Sequence, residues 1–161
     1  MTTPHISSPM DIAPEWIDYN GHMNMAFYSV LFDRAADEFY EEVGLGAAYA
    51  ATRGFTTYTG EVKIRYLQEL HLGQTLRVHS WLIDHDAKRF HSWQEIHAGD
   101  GTEDSFLAAT AETLALHIDM SGPKVAPFPP DIAAGLDAFE AKHGLAQMPE
   151  GGGRAIGIPR R

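Results

Sequence analysis

The chain of 161 residues contains no cysteine. Disulfides, thiolate metal sites and a cysteine nucleophile are therefore excluded. It also lacks any apolar run near the ~20 residues that a bilayer-spanning helix needs, so no membrane partner is expected. Basic residues are scarce, with 12 Lys and Arg against 22 Asp and Glu, a formal net charge of −10. A generic nucleic-acid binder neutralises phosphates with a basic face, and this balance argues against one. Residues 1–10 show no basic region followed by an apolar stretch, so no secretory signal and a cytoplasmic location are expected. What remains is ordinary for a globular protein: 44% hydrophobic and 21% charged residues in a chain the size of one domain.

Residues 25–43 hold neither Gly nor Pro, and Phe27, Val30, Leu31, Arg34, Ala35, Phe39 and Val43 recur at helical spacing. Asn24 suits the N-cap of that helix and Gly44 its C-terminal stop. Phe32, Ala36 and Tyr40 widen the apolar stripe, which predicts a helix buried on more than one side. Ahead of it, residues 10–16 read as a short edge strand and 18–24 as a turn. After a Gly/Ala/Thr-rich connector at 44–54 the period drops to two. Strands are predicted over 55–67, 75–84, 89–97 and 106–119, with turns at 71–74, 84–88 and 98–102. On the first of these, Val62, Ile64 and Tyr66 share one face, while Glu61, Lys63 and Arg65 share the other. The last carries a face of Ala109, Ala111 and Ala115, small enough to admit another backbone and suggestive of self-association. The proline-rich stretch 121–130 ends the sheet, and 131–143 is a short helix capped by Asp131. The expected organisation is one α+β domain over 1–145, an antiparallel sheet running as a meander around one long central helix, with 146–161 as a flexible tail.

Chemistry concentrates in Trp16-Ile17-Asp18-Tyr19-Asn20-Gly21-His22-Met23-Asn24. This stretch places a carboxylate, two carboxamides and an imidazole immediately before the buried helix. A helix N-terminus presents unpaired backbone N–H groups and partial positive charge, which suit a developing oxyanion. A carboxylate beside it attacks a carbonyl or deprotonates a water that does. A thioester fits this set, because its sulfur leaving group needs no strong acid. The plainer alternative is a polar turn that only caps the helix.

The run Asp18-x-x-Gly21-His22-x-Asn24, leading into Phe27-Tyr28, resembles the signature of hotdog-fold acyl-CoA thioesterases of the 4-hydroxybenzoyl-CoA thioesterase type. The resemblance covers residues 11–119. It implies a hotdog fold and a carboxylate at Asp18 acting as nucleophile or general base. It also implies a carbonyl polarised by backbone N–H groups near Asn24 and Met25, and a homodimer or homotetramer with the site between subunits. The family's common turn has Pro-Ala where this chain has Tyr19-Asn20, and His22 and Asn24 are added. Asn20 and His22 therefore join Asp18 as candidate catalytic residues. A closer likeness is to the thioesterase region fused to L-carnitine dehydrogenases. It rests on residues 15–23, on Tyr58-Thr59-Gly60-Glu61 and on Leu114-Ala115-Leu116-His117-Ile118-Asp119. That likeness implies betainyl-CoA, the thioester of glycine betaine, as substrate, and a place in carnitine degradation. It also implies that Tyr58, Thr59 and Glu61 contact substrate from a strand that reaches the partner's site.

A quaternary ammonium is held by aromatic faces and acidic neighbours. Trp16, Tyr19, Phe27, Tyr28 and Tyr58 offer rings, and Glu61 or Asp33 offers charge; helix core is the plainer role for Phe27 and Tyr28. Arg65, Lys88, Arg89 and Lys124 are candidates for the CoA phosphates, ordinary surface charge being the alternative. His79, His85, His91 and His97 recur evenly, but the spacing follows strand and hairpin lengths, so no metal is expected. No cofactor is expected beyond the CoA of the substrate itself. Two other activities compete: a hydratase or dehydratase using His22 with a carboxylate, and a non-catalytic acyl-CoA binder.

Overall fold

The computed structural model describes residues 2–158. Its strands are β1 (His5–Ile6), β2 (Met10–Asp11), β3 (Phe55–Tyr66), β4 (Thr75–His85), β5 (Arg89–Ala98), β6 (Phe106–Asp119) and β7 (Lys124–Val125). Its helices are α1 (Ala26–Val43), α2 (Ala47–Arg53) and α3 (Pro130–His143), with a 3-10 turn at Pro14–Trp16. All strands join one antiparallel sheet in the order β1-β4-β5-β6-β3, with β2 also on β4 and β7 on β6.

The sheet curls around α1. That helix buries Tyr28, Leu31, Phe32, Ala35, Phe39 and Val43. Of the expected stripe, Phe27 and Val30 are only half-buried and Arg34 is exposed, while Tyr28, outside that stripe, is buried. Gly44 ends it in the left-handed conformation, at φ 95°, with its N–H on the carbonyls of Tyr40 and Glu41. Leu76, Val78 and Ile96 from the sheet pack against the first half of α1. Leu82, Phe90 and the α3 side chains Ile132, Leu136 and Phe139 pack against the second. Each such side chain contributes about 1.5–3 kcal/mol by leaving water.

Several expectations need correction. The four long strands are not a simple meander, because β3 pairs with β6 and never with β4. The connection between β3 and β4 crosses the start of α1 instead, where Leu70 is fully buried and its carbonyl accepts the Met23 N–H at 2.8 Å. The segment 10–16 keeps only two residues of strand, since Pro14 has no N–H and opens a 3-10 turn. The connector 44–54 contains α2. Asp131 does not cap α3, which begins one residue earlier behind Pro129; its carboxylate binds Arg53 at 2.6 Å. The alanines of β6 are not a docking face. Ala109, Ala111 and Ala115 are at most 1% exposed and line the core, where small side chains make room for the aromatic residues of α1.

Residues 150–154 are tied to the outer face of the sheet. Lys63 donates to Glu112 at 2.6 Å and to the Arg154 carbonyl at 3.0 Å. Arg65 donates to the Glu150 carbonyl at 2.9 Å, and the Gly153 N–H to the Glu112 carboxylate at 2.9 Å. Of the expected tail, residues 159–161 lie outside the described residues.

Candidate active site

The loop before α1 is closed on itself by backbone bonds. Ile17 and Met23 form an antiparallel bridge, Gly21 N–H donates to the Asp18 carbonyl at 3.0 Å, and Asn24 N–H donates to the Trp16 carbonyl at 2.9 Å. Gly21 sits at φ 82°, a conformation that L side chains rarely adopt and that this tight loop requires. The loop thereby presents Asp18 beside the helix start. One carboxylate oxygen accepts the Asn20 N–H at 2.8 Å and the other the Asn24 side-chain amide at 2.9 Å. Asn24 meanwhile accepts the Ala26 N–H at 3.0 Å, so one side chain both caps α1 and clamps Asp18. The Asn20 N–H, and then the Asn24 amide, hold the Asp18 carboxyl below its usual range. It is an anion at neutral pH.

Both Asn24 and Met25 are expected to supply oxyanion donors; the geometry divides them. The Asn24 N–H is consumed by Trp16, and the N–H groups of Ala26 and Phe27 are taken by Asn24. Among the described residues, the Met25 N–H has no hydrogen-bond partner. A free amide at the first turn of a helix is the kind of donor that can meet an oxyanion.

His22 does not pair with Asp18. Its ring lies 3.5 Å from Glu69 and faces His71, which also approaches Glu69, at 3.4 Å. A recess of about 210 Å³ opens here, lined by His22, Met23, Met25, Tyr28, Tyr66 and Glu69 among others. Tyr66 and Glu69 line this recess although the sequence pattern does not single them out as site residues. The polar 67–74 linker disguised Glu69, and Tyr66 read only as one member of an alternating strand.

Other expected residues fall elsewhere. Trp16 is stacked on Phe27 at 5.3 Å and covered by Arg34 at 5.3 Å, so its faces are occupied. Tyr19 is 97% exposed. Within one chain, Tyr58, Thr59 and Glu61 do not join Asp18. Side chains alternate along β3, and the register shifts between Thr59 and Glu61. Thr59 lines a larger cleft of about 340 Å³ under the middle of α1, together with Asp33 and Tyr40. Glu61 opens onto the opposite face beside His91 and Glu112. The Tyr58 hydroxyl reaches Met120. His117, inside one of the motifs of the likeness, is a core residue bonded to the Tyr49 hydroxyl and the Ala126 carbonyl. His79, His85, His91 and His97 each meet a different carboxylate partner: Asp100, Asp137, Glu112 and Glu95, respectively. Of the candidate phosphate ligands, Arg89 is held by Asp86 and Arg65 by the Glu150 carbonyl.

In this chain a sheet curls around one helix, with an acidic loop at the helix start. The model of the thioesterase-like superfamily matches residues 12–136. The chain belongs to this superfamily. It is a thioester hydrolase with the hotdog fold. A betainyl-CoA thioesterase of Pseudomonas aeruginosa is 34% identical over 149 residues, covering 92% of this chain and 91% of that protein. The L-carnitine dehydrogenase/betainyl-CoA thioesterase of Rhizobium meliloti is 36% identical over 90% of this chain, which spans only 28% of that larger protein. Among solved structures, a hypothetical protein of Staphylococcus aureus in complex with CoA superposes with a TM-score of 0.86 at 28% identity, covering 99% and 98% of the two chains. A 4-hydroxybenzoyl-CoA thioesterase mutant complexed with 4-hydroxybenzoyl-CoA shares the fold, with a TM-score of 0.74 at 14% identity over 83% and 98% of the chains.

Proposed function

We propose that this thioesterase hydrolyses a small polar acyl-CoA, betainyl-CoA, to glycine betaine and CoA. Two observations carry the mechanism: a doubly anchored Asp18 carboxylate just before α1, and a Met25 N–H at the helix start that has no partner among the described residues. The thioester carbonyl docks on that N–H, which stabilises the oxyanion as the carbonyl carbon becomes tetrahedral. Asp18 attacks the carbonyl or deprotonates the attacking water, and the CoA thiolate leaves. Asn20 and His22 orient water and substrate at the two sides of the loop, and no further cofactor takes part. The substrate assignment rests on relatives at 34% and 36% identity named for betainyl-CoA. An acyl-CoA substrate suits a cytoplasmic location.

The working unit in this reading is a homodimer or homotetramer. β3 ends the sheet, its outer edge is unpaired among the described residues, and Tyr58, Val62 and Tyr66 are exposed along it. An uncovered apolar edge pairs readily with a second copy. Pairing there would carry Thr59 and Glu61 toward the partner's loop, the role in substrate binding that the resemblance implies for them and for Tyr58. The test is thiol release from a panel of acyl-CoA esters that includes betainyl-CoA and aryl, short and long acyl chains. Betainyl-CoA is expected to give the highest kcat/KM, and Asp18→Asn to lower turnover by about 10²–10⁴-fold while the protein stays folded. Unchanged turnover in that variant would remove Asp18 from the reaction.

A further inference from the structure

In a betainyl thioester a single methylene separates the reacting carbonyl carbon from the quaternary nitrogen. Ordinary bond lengths put the two about 2.5 Å apart. If the carbonyl rests on the Met25 N–H, the cation must sit within the first turn of α1. Asp33, eight residues further along, lies about 12 Å up the helix axis at a rise of 1.5 Å per residue. The Asp33 carboxylate in the larger cleft under α1 is therefore out of reach of this acyl group in the same chain. The recess beside Met25 is not.

The chemistry of that recess matches the requirement. A quaternary ammonium has no N–H to donate, so it is selected by aromatic surface and negative charge rather than by hydrogen bonds. Tyr28 and Tyr66 form a corner there, with ring centroids 5.0 Å apart and planes at 87°. Their hydroxyls are turned to backbone carbonyls, Tyr28 to Gln68 and Tyr66 to Met25, each at 3.5 Å. The thioethers of Met23 and Met25 add polarisable surface, and Glu69 supplies a carboxylate. Among the described residues, no Lys or Arg lines the recess. Its volume of about 210 Å³ is enough for a compact acyl group. Trp16, the other large ring beside the loop, already carries Arg34.

We propose that this recess is the acyl-group subsite, and that Tyr28, Tyr66 and Glu69 make the enzyme select a cationic acyl group over a neutral one of the same shape. The proposal rests on the thioesterase reading above, and extends it to residues that reading does not use.

The test compares betainyl-CoA with 3,3-dimethylbutanoyl-CoA, in which carbon replaces the charged nitrogen. The wild type is expected to favour the cationic ester by at least about tenfold in kcat/KM. Glu69→Gln and Tyr66→Leu should each lower that ratio by about tenfold, and Asp33→Asn should leave it near the wild-type value. Using a ratio cancels any general damage to His22 from loss of its Glu69 neighbour. Cleavage of both esters with no discrimination, or a ratio that falls with Asp33→Asn instead, overturns the subsite and leaves the thioesterase standing. If the wild type cleaves neither ester, the substrate assignment fails, and the subsite is read from tetramethylammonium chloride titrated against the protein. An upfield shift of its methyl protons that Tyr66→Leu abolishes supports the subsite; no shift with the wild type overturns it.

Discussion

Asn24 donates its side-chain amide to Asp18 at 2.9 Å while accepting the Ala26 N–H at 3.0 Å. The start of α1 and the Asp18 carboxylate are thus held by the same side chain. Replacing it separates two effects. Asn24→Ala removes a cap, which costs about 1 kcal/mol of stability, and frees one oxygen of Asp18. Activity should fall more than the melting temperature suggests, measured by thiol release beside thermal unfolding.

The pH dependence follows from the same clamp. The folded carboxyl of Asp18 lies below its ordinary value of 3.8, first through the Asn20 N–H and then through Asn24. Its stabilising contribution is complete above 3.8 and is lost as pH falls through the lowered folded value. The acid limb of kcat/KM that belongs to Asp18 should therefore lie below 3.8 in the wild type. It should move upward in Asn24→Ala, toward the value of a free aspartate.

Gly135 on α3 faces the Val43 carbonyl so closely that a methyl group there would collide with it. In an exposed helix, Gly→Ala stabilises by about 1 kcal/mol. Here the sign reverses. Gly135→Ala should destabilise by about 1–3 kcal/mol, the usual cost of overpacking, as read from denaturant midpoints at constant slope.

Glu112 gathers Lys63, His91 and the Gly153 N–H on the outer face. Burial works to raise its carboxyl, but Lys63 and Gly153 outweigh burial and hold it below the usual range. Glu112→Gln should release the segment around Gly153. Faster amide exchange at Gly153, with the exchange of core strands unchanged, is the expected signature.

Val62 is 53% exposed on the edge strand. Val62→Arg places charge at that edge and should shift light-scattering mass to the monomer, with loss of thiol release if the site lies between subunits. A full-size assembly in that variant would place the interface elsewhere.

Much of the fold was legible in the chain. The period of 3.6 over residues 25–43 and the period of two from 55 onward gave α1 and the four long strands nearly to their ends. These patterns are local, because each reflects one element burying one face. The path of β3 to the far edge, beside β6, was not legible. It depends on the 67–74 linker passing over the start of α1 and lodging Leu70 in the core, a contact between segments distant in sequence.

The site divides along the same line. The sequence by itself determined that a carboxylate, carboxamides and an imidazole precede a buried helix, because these residues are contiguous between positions 18 and 24. Only the tertiary structure decided which of them lie together and which backbone donors stay unpaired. Backbone closure of the loop uses the Asn24 N–H and spares that of Met25, and the crossing linker brings Glu69 and Tyr66 to the recess beside it. Hydrogen-bond competition and long-range packing set those choices, and neither leaves a periodic trace in the chain.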